Sequence, residues 1–126
     1  MDLSALLEQK DNRVKSQAKQ NKQDNKMSYA NTEMKVIQWG EARGIVQNST
    51  PFAQALKTKE ELDELFDAIS KDDKDAIKDA YGDILVTLVM GAACADLDLV
   101  DCFKGAYEEI KDRKGYLTKE GIFVKQ

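Results

Sequence analysis

The segment from Ile84 to Ala95 carries no charged residue, and it constrains the fold more than any other part of the chain. It forms the second half of a predicted helix that begins near Asp75, and beyond Asp83 this helix is apolar on every side. A helix without a polar face has to be enclosed, either inside a bundle or at a subunit interface. The segment is too short to span a bilayer, which takes roughly 20 apolar residues. We therefore expect a buried helix and no membrane span.

The composition favours helices over sheets throughout. Lys, Glu, Asp, Ala and Leu are abundant, and the 126 residues include one proline and seven glycines. Capping residues and apolar periodicity predict four helices, which makes an all-α, four-helix bundle-like fold of one domain. Their expected bounds are 31–44 (capped by Asn31 or Thr32), 50–69 (capped by Thr50, with a break near Lys57), 75–95, and 98–115 (capped by Asp98).

The apolar periodicity also predicts which side chains are buried. The second helix is expected to bury one stripe and the fourth helix another. Ile45 to Ser49 is expected to be a loop, and the tail around residues 122–124 an extended segment docked on a neighbour. The two stripes are Leu62, Leu65, Phe66 and Ile69, and Leu99, Phe103, Ala106 and Ile110.

Residues 1–30 differ from residues 31–126, which form the predicted helical domain. Between Lys10 and Lys26 the chain is almost entirely Lys, Gln, Asn and Asp, so we expect a polar extension, either a solvated helix or a flexible arm. The net charge of −4 argues against binding to duplex nucleic acid through a broad basic face. Cys94 and Cys102 lie among apolar neighbours and are expected to be reduced core thiols of a cytoplasmic protein.

Two acidic clusters border the uncharged segment. Glu61 and Glu64 lie at i, i+3 on one predicted helix with Glu60 beside them, and Asp79 and Asp83 lie at i, i+4 on the next. Acids that adjoin a buried segment require a compensating charge, although an ordinary solvated face is the alternative for the first cluster. Carboxylate oxygens without histidine select Mg²⁺, or Mn²⁺, and Mg²⁺ keeps open positions for water and phosphates. The clusters therefore predict a magnesium site for phosphate chemistry.

Six short motifs surround and include these acids. In order, they are QWGEARGI at 38–45, QALK at 54–57, EELDE at 60–64, YGDIL at 81–85, AYEEIKDRKG at 106–115 and GIFVK at 121–125. Together they resemble the MazG-type members of the all-α nucleoside triphosphate pyrophosphohydrolase superfamily. The resemblance covers roughly residues 33 to 125, and the last two motifs are similar to small bacteriophage-type members.

The resemblance implies hydrolysis of a nucleoside triphosphate between its α- and β-phosphates, in a homodimer or homotetramer. Metal ligands would be Glu61, Glu64 and Asp83, with Asp79 a further candidate. Glu60 is the expected general base. The protein is expected to be cytoplasmic, and to lie in the host cytoplasm if the chain is phage-encoded. Candidates for substrate binding are Gln54, Lys57, Lys111, Arg113 and Lys114, with Trp39 for base stacking; for the cations a solvated surface position is the alternative, and for Trp39 a core position.

Two departures from the family pattern keep other functions open. The second acidic motif usually has glutamate where Ala80 stands, so Asp79 would have to replace it, and many relatives have asparagine in place of Glu108. A phosphoribosyl-ATP pyrophosphohydrolase is the second enzymatic interpretation. A helical oligomeric interaction protein with weakened chemistry is the non-enzymatic one.

Overall fold

The structure, a computed structural model, describes residues 28–126, so the predicted polar extension lies almost wholly outside the described residues. In this part of the chain, helices are followed by one antiparallel β-hairpin. The elements are α1 (Tyr29–Ala42), α2 (Ile45–Asn48), α3 (Pro51–Ser70), α4 (Lys74–Cys94), α5 (Leu99–Ile110), β1 (Gly115–Leu117) and β2 (Phe123–Lys125). The predicted all-α class is confirmed.

The first helix begins three residues earlier than the sequence predicted. Ser28 caps α1, since its hydroxyl accepts a hydrogen bond from the amide of Asn31 at 3.2 Å. The helix ends before Gly44 as expected, because Gly44 adopts a left-handed conformation with φ of 74°. The predicted loop after it is wrong, as this segment forms the short helix α2.

Helices α3 and α4 form a long antiparallel hairpin, the largest helix–helix contact among the described residues. Thr50 caps α3 as predicted, with its hydroxyl accepting from the amide of Ala53 at 3.0 Å and Pro51 at the first helical position. The predicted break near Lys57 is wrong. The Thr58 hydroxyl contacts the carbonyl of Gln54, so Thr58 lies inside a continuous helix rather than at its start.

The face of α3 that packs against α4 is the predicted one only at Leu65. Glu61, Leu65 and Ala68 are buried, whereas Leu62, Phe66 and Ile69 remain exposed in the single chain. The fully apolar half of α4 is likewise covered only in part, since Leu85 and Leu88 are about 40% exposed. Among residues 28–126, these apolar helix faces are therefore only partly covered.

Helix α1 approaches α4 closely at one point. Gly40 is buried there, and a Cβ at this position would overlap the sulfur of Met90, which is only 2% exposed. Among the described residues the core is small, and it lies along α4 where α1, α2 and α3 meet it.

The fourth predicted helix is shorter and less buried than expected. It ends at Ile110, five residues before the predicted end at Gly115, and Gly115 is instead the first residue of β1. Its predicted stripe lies open in one chain, with Phe103 65% and Ile110 50% exposed, and Cys102 is exposed rather than in the core. Helix α5 packs on α4 and α1 only.

The buried carboxylate of Glu33 fixes the start of α5. It accepts hydrogen bonds from the Val100 amide and from the Tyr29 hydroxyl, both at 3.2 Å, while the side chain of Asp98 makes no capping bond. Glu33 therefore takes the capping role predicted for Asp98.

The tail forms the hairpin β1–β2, which packs on none of the helices described above. The expected extended strand is present, but it pairs within the tail. No helix in the described part of the chain is long and apolar enough to cross a membrane.

Candidate functional site

Glu61 lies where α3 faces α4, and one of its carboxylate oxygens has no partner. The side chain is about 90% buried, with 11% of its surface exposed. Oε1 lies 3.6 Å from the Lys57 ammonium, whereas Oε2 is buried and accepts no hydrogen bond from any described residue. A buried, unsatisfied carboxylate oxygen is unfavourable, so its presence indicates a site for a cation.

Three carboxylates meet at this point from the two helices of the hairpin. One oxygen each of Glu61, Glu64 and Asp83 lies within 4.8 Å of the others. An octahedral Mg²⁺ has its oxygen ligands about 2.1 Å away, so neighbouring ligand oxygens stand about 3 Å apart and opposite ones about 4.2 Å apart. Rotation of the exposed Glu64 and Asp83 side chains, which moves their oxygens by roughly 1–2 Å, would bring the three oxygens to bonding distance. The residues therefore fit a divalent cation held by hard oxygen ligands.

The electrostatics of the cluster favour the same conclusion. Burial raises the pKa of Glu61, and the neighbouring Glu64 raises it further, while the Lys57 ammonium lowers it by a smaller amount. In turn the carboxylates, Glu60 first and then Glu61, raise the pKa of Lys57. The single ammonium does not offset the charge of the acids around it, so a divalent cation would add the missing positive charge.

A cavity of about 540 Å³ opens beside the carboxylates. Three of the predicted substrate-binding residues, Trp39, Gln54 and Lys57, line it together with Glu61 and Asp83. The Trp39 side chain is 43% exposed rather than in the core. The guanidinium of Arg43 lies 4.6 Å from the centre of its ring, so a base could stack only on the other ring face.

The other predicted site residues lie apart from the three carboxylates. The Glu60 side chain is 69% exposed and lies 3.4 Å from Lys57 Nζ. Asp79 lines a second cavity of about 460 Å³, on the side of Asp83 that faces α1. Lys111, Arg113 and Lys114 follow the end of α5, which makes no contact with α3, and Lys111 pairs with Glu108 at 2.6 Å.

Comparison with known proteins identifies the family. The model of the MazG nucleotide pyrophosphohydrolase domain matches residues 50–118, which contain α3, α4, α5 and β1. The chain belongs to the MazG family. The resemblance noted in the sequence is thereby confirmed, and MazG domains are metal-dependent nucleotide pyrophosphohydrolases.

A phage protein is similar to this MazG chain over about half of the chain's length. An uncharacterized 18.2 kDa protein from the rep-hol intergenic region of Haemophilus phage HP1 (strain HP1c1) is 40% identical over 65 residues. The aligned segment covers 52% of the MazG chain and 40% of the phage protein. No solved structure matches the chain.

Ala80 stands where the second acidic motif of the family usually has glutamate, and its side chain is buried in the structure. Ala80 is 5% exposed, so it lies on the covered face of α4, whereas Asp79 and Tyr81 on either side of it are exposed. Asp79, its neighbour, is exposed and is not one of the three clustered carboxylates. The described residues therefore form one cluster of three acids.

Two polar residues of this MazG site were not predicted from the sequence. Thr58 and Thr87 form a hydrogen bond across the α3–α4 interface at 2.7 Å, and Thr87 lines the cavity. A signal for Thr87 was present, because it is the only hydroxyl-bearing residue between Ile84 and Ala95. Thr58 could have been found only by knowing the register of the two helices.

Proposed function

We propose that this chain is a Mg²⁺-dependent nucleoside triphosphate pyrophosphohydrolase, which converts a (deoxy)nucleoside triphosphate to the monophosphate and pyrophosphate in nucleotide pool control or housecleaning. The observation that carries the proposal is the buried, unpartnered Glu61 oxygen in a three-carboxylate cluster that opens into the cavity of a MazG domain. Mn²⁺ has the same preference for oxygen ligands and is expected to substitute.

Each residue at the cavity has a role set by its chemistry. A divalent cation held by Glu61, Glu64 and Asp83 supplies charge neutralisation for the phosphates. Lys57 donates hydrogen bonds to phosphate oxygens, because its ammonium is exposed and lines the same cavity. Gln54 can bond a sugar or phosphate oxygen, and the free face of Trp39 can stack on the base.

The proton of the attacking water is assigned to Glu60. Water attacks the α-phosphorus, the bond from that phosphorus to the bridging oxygen breaks, and pyrophosphate leaves. The Glu60 carboxylate is exposed and close to Lys57, so it can accept the proton that the water releases. Asp79 is the second candidate for this role, or a ligand that acts through a bound water.

The other three basic side chains predicted to bind substrate are proposed to act between copies of the chain. Lys111, Arg113 and Lys114 lie on elements that do not contact α3, so they could reach the phosphates from a second copy in a homodimer or homotetramer. The exposed apolar residues of α3 and α5 support such an assembly. The phage relative supports a cytoplasmic location, that of the host if the chain is phage-encoded.

The test is a nucleotide panel assayed with Mg²⁺ for released pyrophosphate. Turnover that is lost in Glu61→Gln and retained in Lys59→Met, an exposed lysine on the same helix, supports the proposal. Turnover of phosphoribosyl-ATP alone would instead identify the histidine-pathway activity. If no nucleotide is turned over and Glu61→Gln binds metal as the wild type does, the enzymatic proposal fails. The interpretation as a helical oligomeric interaction protein would then remain.

A further inference from the structure

Thr58 and Thr87 link the two helices that carry the carboxylates. Their hydroxyl oxygens are 2.7 Å apart, and Thr87 is only 7% exposed. Thr58 precedes Glu61 by three residues on α3, and Thr87 follows Asp83 by four on α4, so each threonine lies one helical turn from an acid. The bond between them crosses the same interface as the three-carboxylate cluster.

The local geometry keeps this interhelical bond in place. Thr58 Oγ1 also lies 2.9 Å from the Gln54 carbonyl, and Thr87 Oγ1 lies 2.7 Å from the Ile84 carbonyl. The two threonine hydroxyls have two protons between them for these three oxygen–oxygen contacts. If each hydroxyl donated to the carbonyl of its own helix, lone pairs of the two hydroxyl oxygens would face each other at 2.7 Å. One hydroxyl therefore donates to the other, and the second donates to the carbonyl of its own helix.

The helices are also close on the side of this bond away from the acids. A Cβ at Gly91 would lie 3.3 Å from the Cβ of Gln54, so a larger residue there would press on α3. The threonine bond and the close approach at Gly91 therefore both lie on one side of the acids, where the two helices are held near each other. Sites that bind metal ions tolerate errors of only about half an ångström in ligand position.

We propose that Thr58 and Thr87 are positioning residues of the metal site, whose interhelical hydrogen bond sets the distance between the α3 carboxylates and Asp83. The proposal rests on the proposed function, because it requires that the three carboxylates bind a cation. Neither threonine needs to touch the cation, since each acts through the helix that it holds.

The experiment measures Mn²⁺ affinity of the full chain by titration calorimetry, beside the melting temperature in EDTA. Thr87→Val keeps the shape and removes the hydroxyl, so we expect Mn²⁺ to bind about tenfold more weakly. Thr87→Ser restores the hydroxyl and is expected to bind within about twofold of the wild type. The double variant Thr58→Val with Thr87→Val is expected to bind no more weakly than Thr87→Val alone, because both changes remove one bond.

Val89→Ala is the matched control for lost stability. Val89 is buried on the same helix, 4% exposed, and lines the cavity on the α1 side of Asp83 instead of the cavity that contains Glu61 and Thr87. It is expected to lower the melting temperature without a change in Mn²⁺ affinity. If Thr87→Val fails to fold, Thr58→Val at the half-buried partner provides the same test.

The outcomes separate this proposal from the proposed function. A wild-type chain that does not bind Mn²⁺ rejects the metal site itself. Wild-type binding with unchanged affinity in both valine variants rejects only the positioning pair. A loss of affinity in Val89→Ala equal to that in Thr87→Val also rejects it, because general destabilisation would then explain both.

Discussion

Glu61 combines two requirements that conflict in the metal-free protein. Its carboxylate has to be ionised to bind a cation, yet its position between α3 and α4 removes it from water and leaves Oε2 without a partner. Desolvation of an ionised carboxylate is costly, and the neighbouring acid Glu64 adds repulsion. The residue is therefore unfavourable for folding and becomes favourable only when a cation is bound.

We predict that Glu61→Gln stabilises the metal-free protein at neutral pH. The folded chain holds the Glu61 proton more tightly than the unfolded chain, because burial raises the pKa above its ordinary value of 4.5. This contribution to stability is present below that value and is lost as the pH rises through the higher pKa of the folded chain. Glutamine does not ionise, so the variant should have the higher melting temperature at neutral pH.

Thermal melts in EDTA between about pH 4 and about pH 8 measure this difference. The gap between variant and wild type should widen with pH, and Mg²⁺ should raise the melting temperature of the wild type alone. Equal melting temperatures at every pH would contradict the burial argument. Stabilisation of the variant by Mg²⁺ would contradict the assignment of Glu61 as a ligand.

Lys57 is expected to affect the substrate and not the metal. Its ammonium lies in the cavity beside two carboxylates, so Lys57→Met should raise KM for a nucleoside triphosphate about tenfold, a loss typical of one charge-assisted hydrogen bond. Mn²⁺ affinity should stay the same or increase, because the competing cation is gone. Steady-state kinetics and calorimetry, with Lys59→Met as the control, measure both effects. Weaker Mn²⁺ binding in Lys57→Met would show that the lysine orders the ligands instead.

At the scale of elements, the sequence predicted the helices better than it predicted their faces. Thr50, Pro51 and Gly44 act locally, through caps and backbone conformation, so their roles follow from the sequence. The buried face of α3 does not follow from the sequence. Glu61 stands where an apolar residue would be expected at the contact with α4, and Leu62, Phe66 and Ile69 of the predicted stripe face outward. The acidic motif was identified from its residues, whereas its burial required the helix register.

The start of α5 shows the same limit, and it leads to a prediction. Asp98 has the right residue type and position for a cap, but the bond to the Val100 amide comes from Glu33 on α1. We predict that Glu33→Ala lowers the free energy of unfolding by about 1–3 kcal/mol, because it leaves a helix amide and the Tyr29 hydroxyl without their acceptor.

Asp98→Asn is the matched comparison, since its side chain makes no capping bond, and it should cost less than about 0.5 kcal/mol. Urea unfolding of both variants measures the difference. Mn²⁺ affinity should be unchanged in Glu33→Ala, because Glu33 is not part of the three-carboxylate cluster. A larger loss in Asp98→Asn would return the capping role to Asp98.

At the scale of the whole molecule, the described part of one copy exposes a large apolar surface. Helix α3 exposes a stripe along its length, and the hairpin β1–β2 packs on none of the helices α1 to α5. Isolated exposed apolar residues are common, but a stripe along a helix marks an interface. The members of the α3 stripe are Phe52, Leu56, Leu62, Phe66 and Ile69, each at least 41% exposed.

The stripe predicts a homodimer or homotetramer that a single charge can disrupt. Phe66 is 65% exposed in one chain, so Phe66→Glu should not harm the fold of the monomer but should place a desolvated carboxylate in the interface. Light scattering coupled to size-exclusion chromatography should give a dimer or tetramer for the wild type and a smaller species for the variant. Asp67→Asn, next to it and also exposed, should keep the wild-type assembly. If nucleotide turnover falls with the assembly while Mn²⁺ affinity is retained, the basic side chains that bind phosphate act from a second copy. A fully active monomer would show instead that one chain holds the complete site.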